Sequence, residues 1–257
     1  MVENFDITMT ATLRPELIER TLQSHYERLF KSDIKKARLI INIDMAGEED
    51  RELWDGLVRR ISDIIRKYPF REVYPRFCLS PNFAKATVWC FREVRSKYFF
   101  NLEEDWELTS DLDFSEMWDV INSFWNLVHL RLSAFPAPEY TCKNWNRFTT
   151  WNGRFFEVAS KDKGAIGWCG HPSLNRTAFI KEVLEVIDTS KNIEKQIKSQ
   201  RGNHPINEIL HYHSFGVFTF PHSPAAIKDI GREWMAEHGY QKMGNKAFFI
   251  KWEKEKI

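Results

Sequence analysis

Short apolar runs alternate with helical patterns over roughly the first hundred residues of the chain. Residues 5–11 and 37–44 have the composition of strands, and the second run, ARLIINID, has too few polar positions for a solvent-facing strand. Residues 71–77 and 97–102 predict two more strands. Strands and helices in this order predict an α/β fold with a mostly parallel central sheet that is covered by crossover helices.

Helical spacing fills the gaps between these predicted strands. Pro15 suits the first turn of a helix, and Ile18 and Leu22 begin a series of apolar residues that share one face. A second helix is predicted over residues 49–67, and Pro81 opens a third. Because ligands of open α/β sheets bind outside the carboxyl ends of the strands, the residues that follow each strand are the first candidates for a site.

The second half of the chain has a less regular pattern. Residues 114–128 predict an aromatic-rich helix, and residues 134–152, with two prolines and two tryptophans, predict an ordered excursion over the surface. Four more elements are predicted, namely helices over residues 175–187 and 225–238, a basic helix or mobile segment over residues 190–201, and a strand over residues 246–252. The sequence contains no repeat or linker, so we expect a single composite domain.

The composition adds limits to this picture. The chain has 257 residues and is 43% hydrophobic, which allows a sizeable core, and 37 Lys and Arg nearly cancel 36 Asp and Glu. A net charge of +1 gives no global attraction to nucleic acid or to anionic membranes. The four cysteines lack the spacing of a zinc or disulfide framework, and no apolar run is long enough to span a membrane. We therefore expect reduced thiols and a cytoplasmic protein.

The strand KYFFNL ends at an acidic cluster that consists of Glu103, Glu104 and Asp105. Two carboxylates one residue apart, at a point where the chain turns, can share a divalent ion with a diphosphate. Hard oxygen ligands suit Mg²⁺ or Mn²⁺, and such an ion offsets the charge that develops on a leaving diphosphate. The alternative is a solvated acidic turn without a ligand.

Several segments resemble motifs of glycosyltransferases of the GT-A type, and they follow one another in the same order as in those enzymes. TMTATLRPELIERTLQS resembles their opening strand, loop and helix, INID their second strand end, and NFAKATVWCFREV the helix before the metal motif. YFFNLEEDWEL resembles their metal-binding D-x-D segment, although Glu103 replaces the first Asp. This departure leaves open whether Glu103 or Glu104 faces the ion, and we favour Asp105 as the principal ligand. The resemblance covers about residues 5–108, and GWCGHPSLNRTAFIKEV is more loosely similar to the segment that shapes the sugar and acceptor pocket.

The resemblance implies a GT-A-like, Rossmann-like domain that moves a sugar, with inversion, from a UDP-sugar to an acceptor with the help of Mn²⁺ or Mg²⁺. Residues 1–110 would form the half that binds the nucleotide sugar, and residues 111–257 the half that binds the acceptor. The implied donor-binding residues are Thr10, Thr12, Arg14, Asp44, Lys85, Glu104, Trp168 and His171. The implied metal ligands are Glu103, Asp105, His211 and His213.

The roles of these residues follow from their chemistry. Thr and Arg side chains on the first strand-to-helix loop suit ribose and phosphates, and Asp44 suits the uracil imide or ribose hydroxyls. Glu208 is the expected general base, with Asp188 as second choice. His211 and His213 share a face only in an extended segment. Each residue has a structural alternative, such as a polar loop, a turn or a surface helix.

Three other functions compete with this interpretation. The acceptor can be a glycan, a small molecule or a modified nucleic acid, because a basic run, Lys191, Lys195, Lys198 and Arg201 with His204, lies in the same half as Trp145 and Trp151. A nucleotidyltransferase would need a glycine-rich phosphate loop, which TATLRPE lacks. A non-catalytic binding module on the same fold is the third alternative.

Overall fold

The fold is built around one mixed sheet of nine strands. A computed structural model describes residues 1–46, 48, 50–136, 149–160, 163, 167–198, 204–243 and 251–254. The strands are β1 (Phe5–Thr12), β2 (Ala37–Asp44), β3 (Glu72–Cys78), β4 (Tyr98–Glu103), β5 (Trp106–Leu108), β6 (Leu127–Leu132), β7 (Thr149–Trp151), β8 (Phe156–Val158), β9 (Ser173–Arg176), β10 (Ser214–Phe218), β11 (Ile227–Asp229), β12 (Tyr240–Met243) and β13 (Lys251–Lys254). The helices are α1 (Pro15–His25), α2 (Trp54–Arg66), α3 (Phe83–Glu93), α4 (Phe114–Ser123), α5 (Thr177–Leu184), α6 (Ile193–Lys198), α7 (His204–His211) and α8 (Gly231–Glu237).

The direction of the strands places their carboxyl ends together. The order in the large sheet is β3-β2-β1-β4-β9-β6-β10-β8-β7, and the first four strands in this order are parallel. β9 is antiparallel to both β4 and β6, so these two point the same way, and β10 is parallel to β6. The carboxyl ends of β1, β2, β4, β6 and β10 therefore lie at one edge of the sheet, the carboxyl edge. Their first residues lie at the opposite, amino edge.

Apolar side chains cover both faces of the sheet. Leu39 and Ile41 of β2 face a cluster that includes residues of α1, α2 and α4, whereas Ile40 faces a second cluster with residues of α3, α5, α6 and α7. All of β2 is buried, as its apolar sequence predicted. The result is a three-layer α/β arrangement in which the sheet is the middle layer.

Asp6 anchors the start of β4 at the amino edge. Its carboxylate accepts hydrogen bonds from the Arg38 side chain, from the N–H groups of Arg95 and Ser96, and from the Ser96 hydroxyl. Burial by itself raises the pKa of Asp6, but these donors outweigh it and the pKa lies below its usual value. The connection between α3 and β4 is thus tied to β1, which fixes the register of the two strands.

The first half of the chain agrees with the sequence patterns. Strands β1 to β4 are confirmed, each within one residue of its predicted bounds. The helix predicted over residues 49–67 is shorter, because a 3-10 turn, Arg51–Leu53, precedes its start at Trp54. The mostly parallel α/β sheet is confirmed as well.

In the second half, strands replace parts of predicted helices. The helix predicted over residues 114–128 ends at Ser123, and β6 begins at Leu127. In the same way, β9 occupies the start of the helix predicted over residues 175–187, and β11 lies inside the one predicted over residues 225–238. Periodicity does not separate a short buried strand from a buried helix, which is why these strands were missed.

Some predictions lie outside the described residues, among them those on Trp145, Cys142 and Arg201 and most of the strand predicted over residues 246–252. Of the other cysteines, Cys90 and Cys169 are buried, Cys78 is partly exposed, and all three are free thiols. In the described ranges, no helix has the length and apolar character needed to cross a membrane.

Candidate active site

Polar residues from three strands meet at the carboxyl edge. Thr10 of β1 lies opposite Glu103 of β4, and Thr12 lies opposite Asp44 of β2. The N–H of Glu104 donates to the carbonyl of Thr10 at 3.2 Å, so the acidic cluster turns directly over the end of β1. Parallel pairing thus brings together residues that are up to about ninety positions apart.

Glu104 is a buried partner of the loop between β1 and α1. Its Oε1 atom accepts hydrogen bonds from the N–H and the hydroxyl of Thr12, at 3.2 and 3.0 Å, and pairs with the Nη2 atom of Arg14. Arg14 Nε also donates to the Thr12 hydroxyl at 2.9 Å. Burial opposes the charge of Arg14, but Glu104 and Asp105 outweigh it and raise its pKa. Glu104 and Arg14, both predicted to contact the donor, therefore face each other in the interior.

Glu103 and Asp105 lie on either side of Glu104, in surroundings that disfavour the charged form of each carboxylate. Burial and the charges of Asp105 and Glu194 raise the pKa of Glu103 well above its usual value. Burial and the charge of Glu104 raise the pKa of Asp105 to about 7, although Arg14 Nη2 lies 3.6 Å from its Oδ2 atom. The Asp105 side chain remains 26% exposed, so solvent still reaches it.

Two glycines lie so close to these carboxylates that a side chain at either position would overlap them. A Cβ atom at Gly170 would overlap the Oε1 atom of Glu103 and lie 3.2 Å from Oε1 of Glu194. A Cβ atom at Gly231 would lie 2.5 Å from Oδ2 and 2.9 Å from Cβ of Asp105. Backbone from two distant segments thus closes on the carboxylates from two sides, as only glycine permits.

Glu103 and Asp105 fit a divalent cation. Arg14 already compensates Glu104, which leaves the two flanking carboxylates as hard oxygen donors whose repulsion a cation would relieve. Within the described ranges, no cluster of three or more His, Cys, Asp or Glu side chains has the arrangement of a metal site. Magnesium sites often use only one or two carboxylates, and substrate phosphates and water supply the other ligands. The pair therefore has the chemistry of such a site.

His211 and His213 lie at the amino edge. His211 ends α7, and Ser214 begins β10, which runs in the same direction as β4. The Nε2 atom of His213 lies 3.4 Å from Oε2 of Glu182 there. This edge is opposite to the acidic cluster, so the structure does not bring either histidine together with Glu103 and Asp105.

The two predicted general bases, Asp188 and Glu208, have exposed surroundings of their own. Asp188 accepts hydrogen bonds from the N–H and hydroxyl of Ser190 at 2.9 and 2.6 Å and pairs with Lys191, as expected of a turn residue. Glu208 is exposed on α7, one helical turn before His211. In the described part of the chain, neither carboxylate is seen in contact with Glu103, Glu104 or Asp105.

Asp44 and Lys85 lie at the start of α3. Asp44 accepts hydrogen bonds from the Asn42 amide and from the N–H of Asn82, both at 2.8 Å. Asn82 caps α3 through the N–H of Lys85, at 3.0 Å, so the exposed Lys85 lies one turn from Asp44. Burial raises the pKa of Asp44. Asp44 and Lys85 thus lie at one corner of the carboxyl edge, beside the end of β1.

Trp168 and His171 have different environments although they share a loop. Trp168 is only 2% exposed, and its ring packs edge-on against Phe91, so it is a core residue rather than an open stacking surface for a sugar. The ring of His171 lies 4.5 Å from that of Trp106, which follows Asp105 in the chain. Of the two, the structure brings His171 to the site.

Sequence patterns missed several residues of the site. Glu194 lies in the first turn of α6, and its Oε1 atom accepts a hydrogen bond from the N–H of Gly170 at 2.7 Å. Asp229 contributes negative charge beside Asp105 and accepts the N–H of Gly231 at 3.0 Å. Glu194 stands in a basic run, IEKQIK, whose pattern reads as a solvated helix, so no local signal indicated it.

Comparison with known proteins finds similarity at the level of structure. Neither the protein-family models nor the curated protein sequences contain a match to this chain. The mannosyltransferase PcManGT from Pyrobaculum calidifontis, solved in complex with GDP-Man and Mn²⁺, has 10% sequence identity and a TM-score of 0.54 over 86% of this chain and 56% of that chain. S. aureus TarS 1–349, solved with UDP-GlcNAc, has 11% identity and a TM-score of 0.53 over 87% and 57%.

Because these identities are low, the likeness concerns the fold. The chain spans little more than half the length of these two proteins, and 36% of the longer TarS structure. The shared architecture is the GT-A-like arrangement of a mostly parallel sheet between helices. The chain therefore has the GT-A-like fold that its sequence predicted.

Proposed function

We propose that this chain is a glycosyltransferase that moves a sugar from a nucleotide diphosphate sugar to an acceptor hydroxyl. The observation that carries this proposal is the position of Glu103 and Asp105. The two carboxylates stand at the carboxyl edge of a GT-A-like sheet, beside the ends of β1 and β2. This is the place where open α/β sheets bind nucleotides.

We place the donor across the carboxyl ends of β1, β2 and β4. The nucleoside would lie near Asp44 and Lys85, and the diphosphate near Thr10 and the acidic cluster. The two similar structures contain GDP-Man and UDP-GlcNAc, which supports a nucleotide sugar in general. The preference for uridine rests on Asp44, whose carboxylate can accept from the imide N–H or the ribose hydroxyls.

Glu103 and Asp105 are the residues that would hold Mn²⁺ or Mg²⁺. When bound, the ion supplies a Lewis acid that stabilises negative charge on the departing diphosphate. Arg14 and Glu104 form a buried ion pair with no net charge next to these carboxylates. The presence of Mn²⁺ in the PcManGT complex is consistent with this choice.

Glu194 replaces Glu208 and Asp188 as our candidate general base. Its carboxylate shares the surroundings of Gly170 with Glu103, and its hydrogen bond to the N–H of Gly170 fixes its orientation. In an inverting transfer the acceptor oxygen bonds to the anomeric carbon while the bond to the diphosphate breaks, and the diphosphate leaves with the electron pair. Glu194 would take the proton of the acceptor hydroxyl.

Residues 1–110 would then provide the donor side and residues 111–257 the acceptor side, including Gly170 and Glu194. The described residues give a nucleic-acid acceptor no support. Lys191 pairs with Asp188 at 3.2 Å, and the ring of Trp151 packs against Phe156 rather than forming an open pocket. We therefore propose an acceptor hydroxyl on a glycan or small molecule.

Hydrolysis of a panel of UDP- and GDP-sugars with Mn²⁺ and without acceptor tests the proposal. We expect one donor to release its nucleoside diphosphate, and chelation of the metal with EDTA to stop the release. The Asp105→Asn protein is the control, because it keeps the size of the side chain but loses its charge. A protein that neither binds nor hydrolyses any nucleotide sugar with Mn²⁺ would contradict a transferase function.

A further inference from the structure

The segment that starts α8 contacts the acidic cluster, although more than a hundred residues separate the two in the sequence. The N–H of Ile230 donates to the carbonyl of Asp105 at 2.8 Å. β11, which precedes this contact, pairs with β5, which follows Asp105. The backbone on both sides of Asp105 is thus held by this late segment.

Gly231, the first residue of α8, lies directly against the Asp105 side chain. The space for a Cβ atom at this position is taken by Oδ2 at 2.5 Å, Cβ at 2.9 Å and Cγ at 3.1 Å of Asp105. Because Asp105 is short and its own Cβ is among these atoms, it cannot move away without a shift of the backbone. Gly231 therefore defines where the carboxylate can stand.

Trp234, one turn later in α8, covers Arg14. Its ring centroid lies 5.5 Å from the Arg14 guanidinium carbon, and the ring also stacks on that of His238 at 4.2 Å. Trp234 also packs with Leu17 of α1, which docks α8 on the helix that follows Arg14. A cation over an aromatic face is most stabilising when both are removed from water, as here.

These contacts act on the same pair of side chains. Arg14 pairs with Glu104 and reaches Asp105 at 3.6 Å, so a shift of its guanidinium changes the position of both carboxylates. We propose that α8 is a positioning element of the site. Trp234 holds Arg14 between Glu104 and Asp105, and Gly231 sets the place of the Asp105 carboxylate. The role as a metal-site support rests on the proposed function.

The test compares Gly231→Ala, Trp234→Ala and Trp234→Phe in the full chain. The measurement is calorimetric affinity for UDP or GDP, whichever the wild-type protein binds, with MnCl₂. We expect Gly231→Ala and Trp234→Ala to weaken this affinity by about 10- to 100-fold, the usual effect of losing a residue that supports a metal ligand. Trp234→Phe should recover most of it, because the ring over Arg14 remains.

The controls are Gly56→Ala, at a helix position with open space around it, and Trp125→Ala, which removes a ring that is 82% exposed. Both should bind like the wild type. Equal affinity in Trp234→Ala and in the wild type would overturn the inference. If Gly231→Ala does not fold, the two Trp234 variants decide.

A second measurement does not depend on any ligand. Urea unfolding of Trp234→Ala, Arg14→Ala and the double variant shows whether the two side chains support each other. We expect the double variant to lose less stability than the sum of the single losses. Additive losses would overturn the inference, whereas a wild-type protein that binds no nucleotide with Mn²⁺ would count against the proposed function alone.

Discussion

Arg14 and Glu104 form a buried ion pair at the carboxyl edge of the sheet, in which the Nη2 atom of Arg14 meets the Oε1 atom of Glu104. The same oxygen accepts both hydrogen bonds from Thr12. The carboxylate of Glu104, the central residue of the acidic cluster, is therefore already paired inside the protein. This arrangement leaves Glu103 and Asp105 as the pair that we propose for the cation.

We predict that Arg14→Ala lowers the free energy of unfolding by about 3–5 kcal/mol, because it leaves the Glu104 carboxylate buried without its cation. Urea unfolding measures this loss. The matched control is Arg66→Ala, which breaks an ion pair whose side chains are 77% and 69% exposed. That change should cost less than about 1 kcal/mol. Similar losses in both variants would show that the Arg14 pair is not held in the interior.

Asp105→Asn should abolish metal-dependent binding of a nucleoside diphosphate while the protein stays folded. The amide keeps the size of the side chain but removes the charge that attracts the ion. Calorimetry with Mn²⁺ and UDP or GDP measures the affinity, and thermal unfolding checks the fold. Asp111→Asn, at an exposed acidic residue, is the control. Unchanged affinity in Asp105→Asn would move the metal site elsewhere.

Glu194→Gln should keep donor affinity and slow transfer by about a hundredfold or more, the usual scale for loss of a general base. The amide oxygen still accepts the N–H of Gly170, so the loop keeps its support. Glu208→Gln is the matched control, since this side chain is exposed on α7, and it should transfer at the wild-type rate. Slow transfer in Glu208→Gln but not in Glu194→Gln would return the base to its sequence-based position.

Gly170→Ala should mainly lower activity, whereas Gly216→Ala should mainly lower stability. An added methyl group at Gly170 meets the ends of the Glu103 and Glu194 side chains, which can swing, so we expect loss of activity with little loss of stability. At Gly216 it meets the Phe155 ring at 2.5 Å in the core, so we expect loss of stability. Activity assays and thermal unfolding on both variants separate the two cases. A stable, fully active Gly170→Ala protein would argue against a close fit around Glu103.

His25 should make stability depend on pH. Its buried ring lies near Phe30 and Phe100, its Nδ1 atom is 2.9 Å from the Thr21 carbonyl, and burial lowers its pKa from 6.5 to about 4. Only the unfolded chain takes up this proton between pH 6.5 and about 4, so stability present above pH 6.5 is lost as the pH falls through that window. The difference corresponds to about 3 kcal/mol.

Unfolding of His25→Gln and wild-type protein at several pH values tests this expectation. The loss of stability between pH 6.5 and about 4 should be smaller in the variant, because the glutamine takes up no proton. His211→Gln, at an exposed histidine, should follow the wild type. Equal pH dependence in all three proteins would show that folding does not shift the pKa of His25.

The sequence by itself determined the first four strands and the acidic cluster. β2 is apolar throughout, and KYFFNL runs directly into Glu103, so local composition and chain order were sufficient. Parallel strands that alternate with helices must bring their carboxyl ends to one edge, which placed Thr10 and Asp44 beside the cluster in advance. These features follow from local composition and from the order of strands and helices along the chain.

Only the tertiary structure decided which other residues join them. The direction of β10 sends His213 to the amino edge, and that direction depends on β9, a short strand with no clear pattern of its own. Glu194 and Trp234 reach the site because loops and helices from distant segments pack there. Such contacts depend on strand order and on the free energy of burying whole faces, which no local pattern of polar and apolar residues contains.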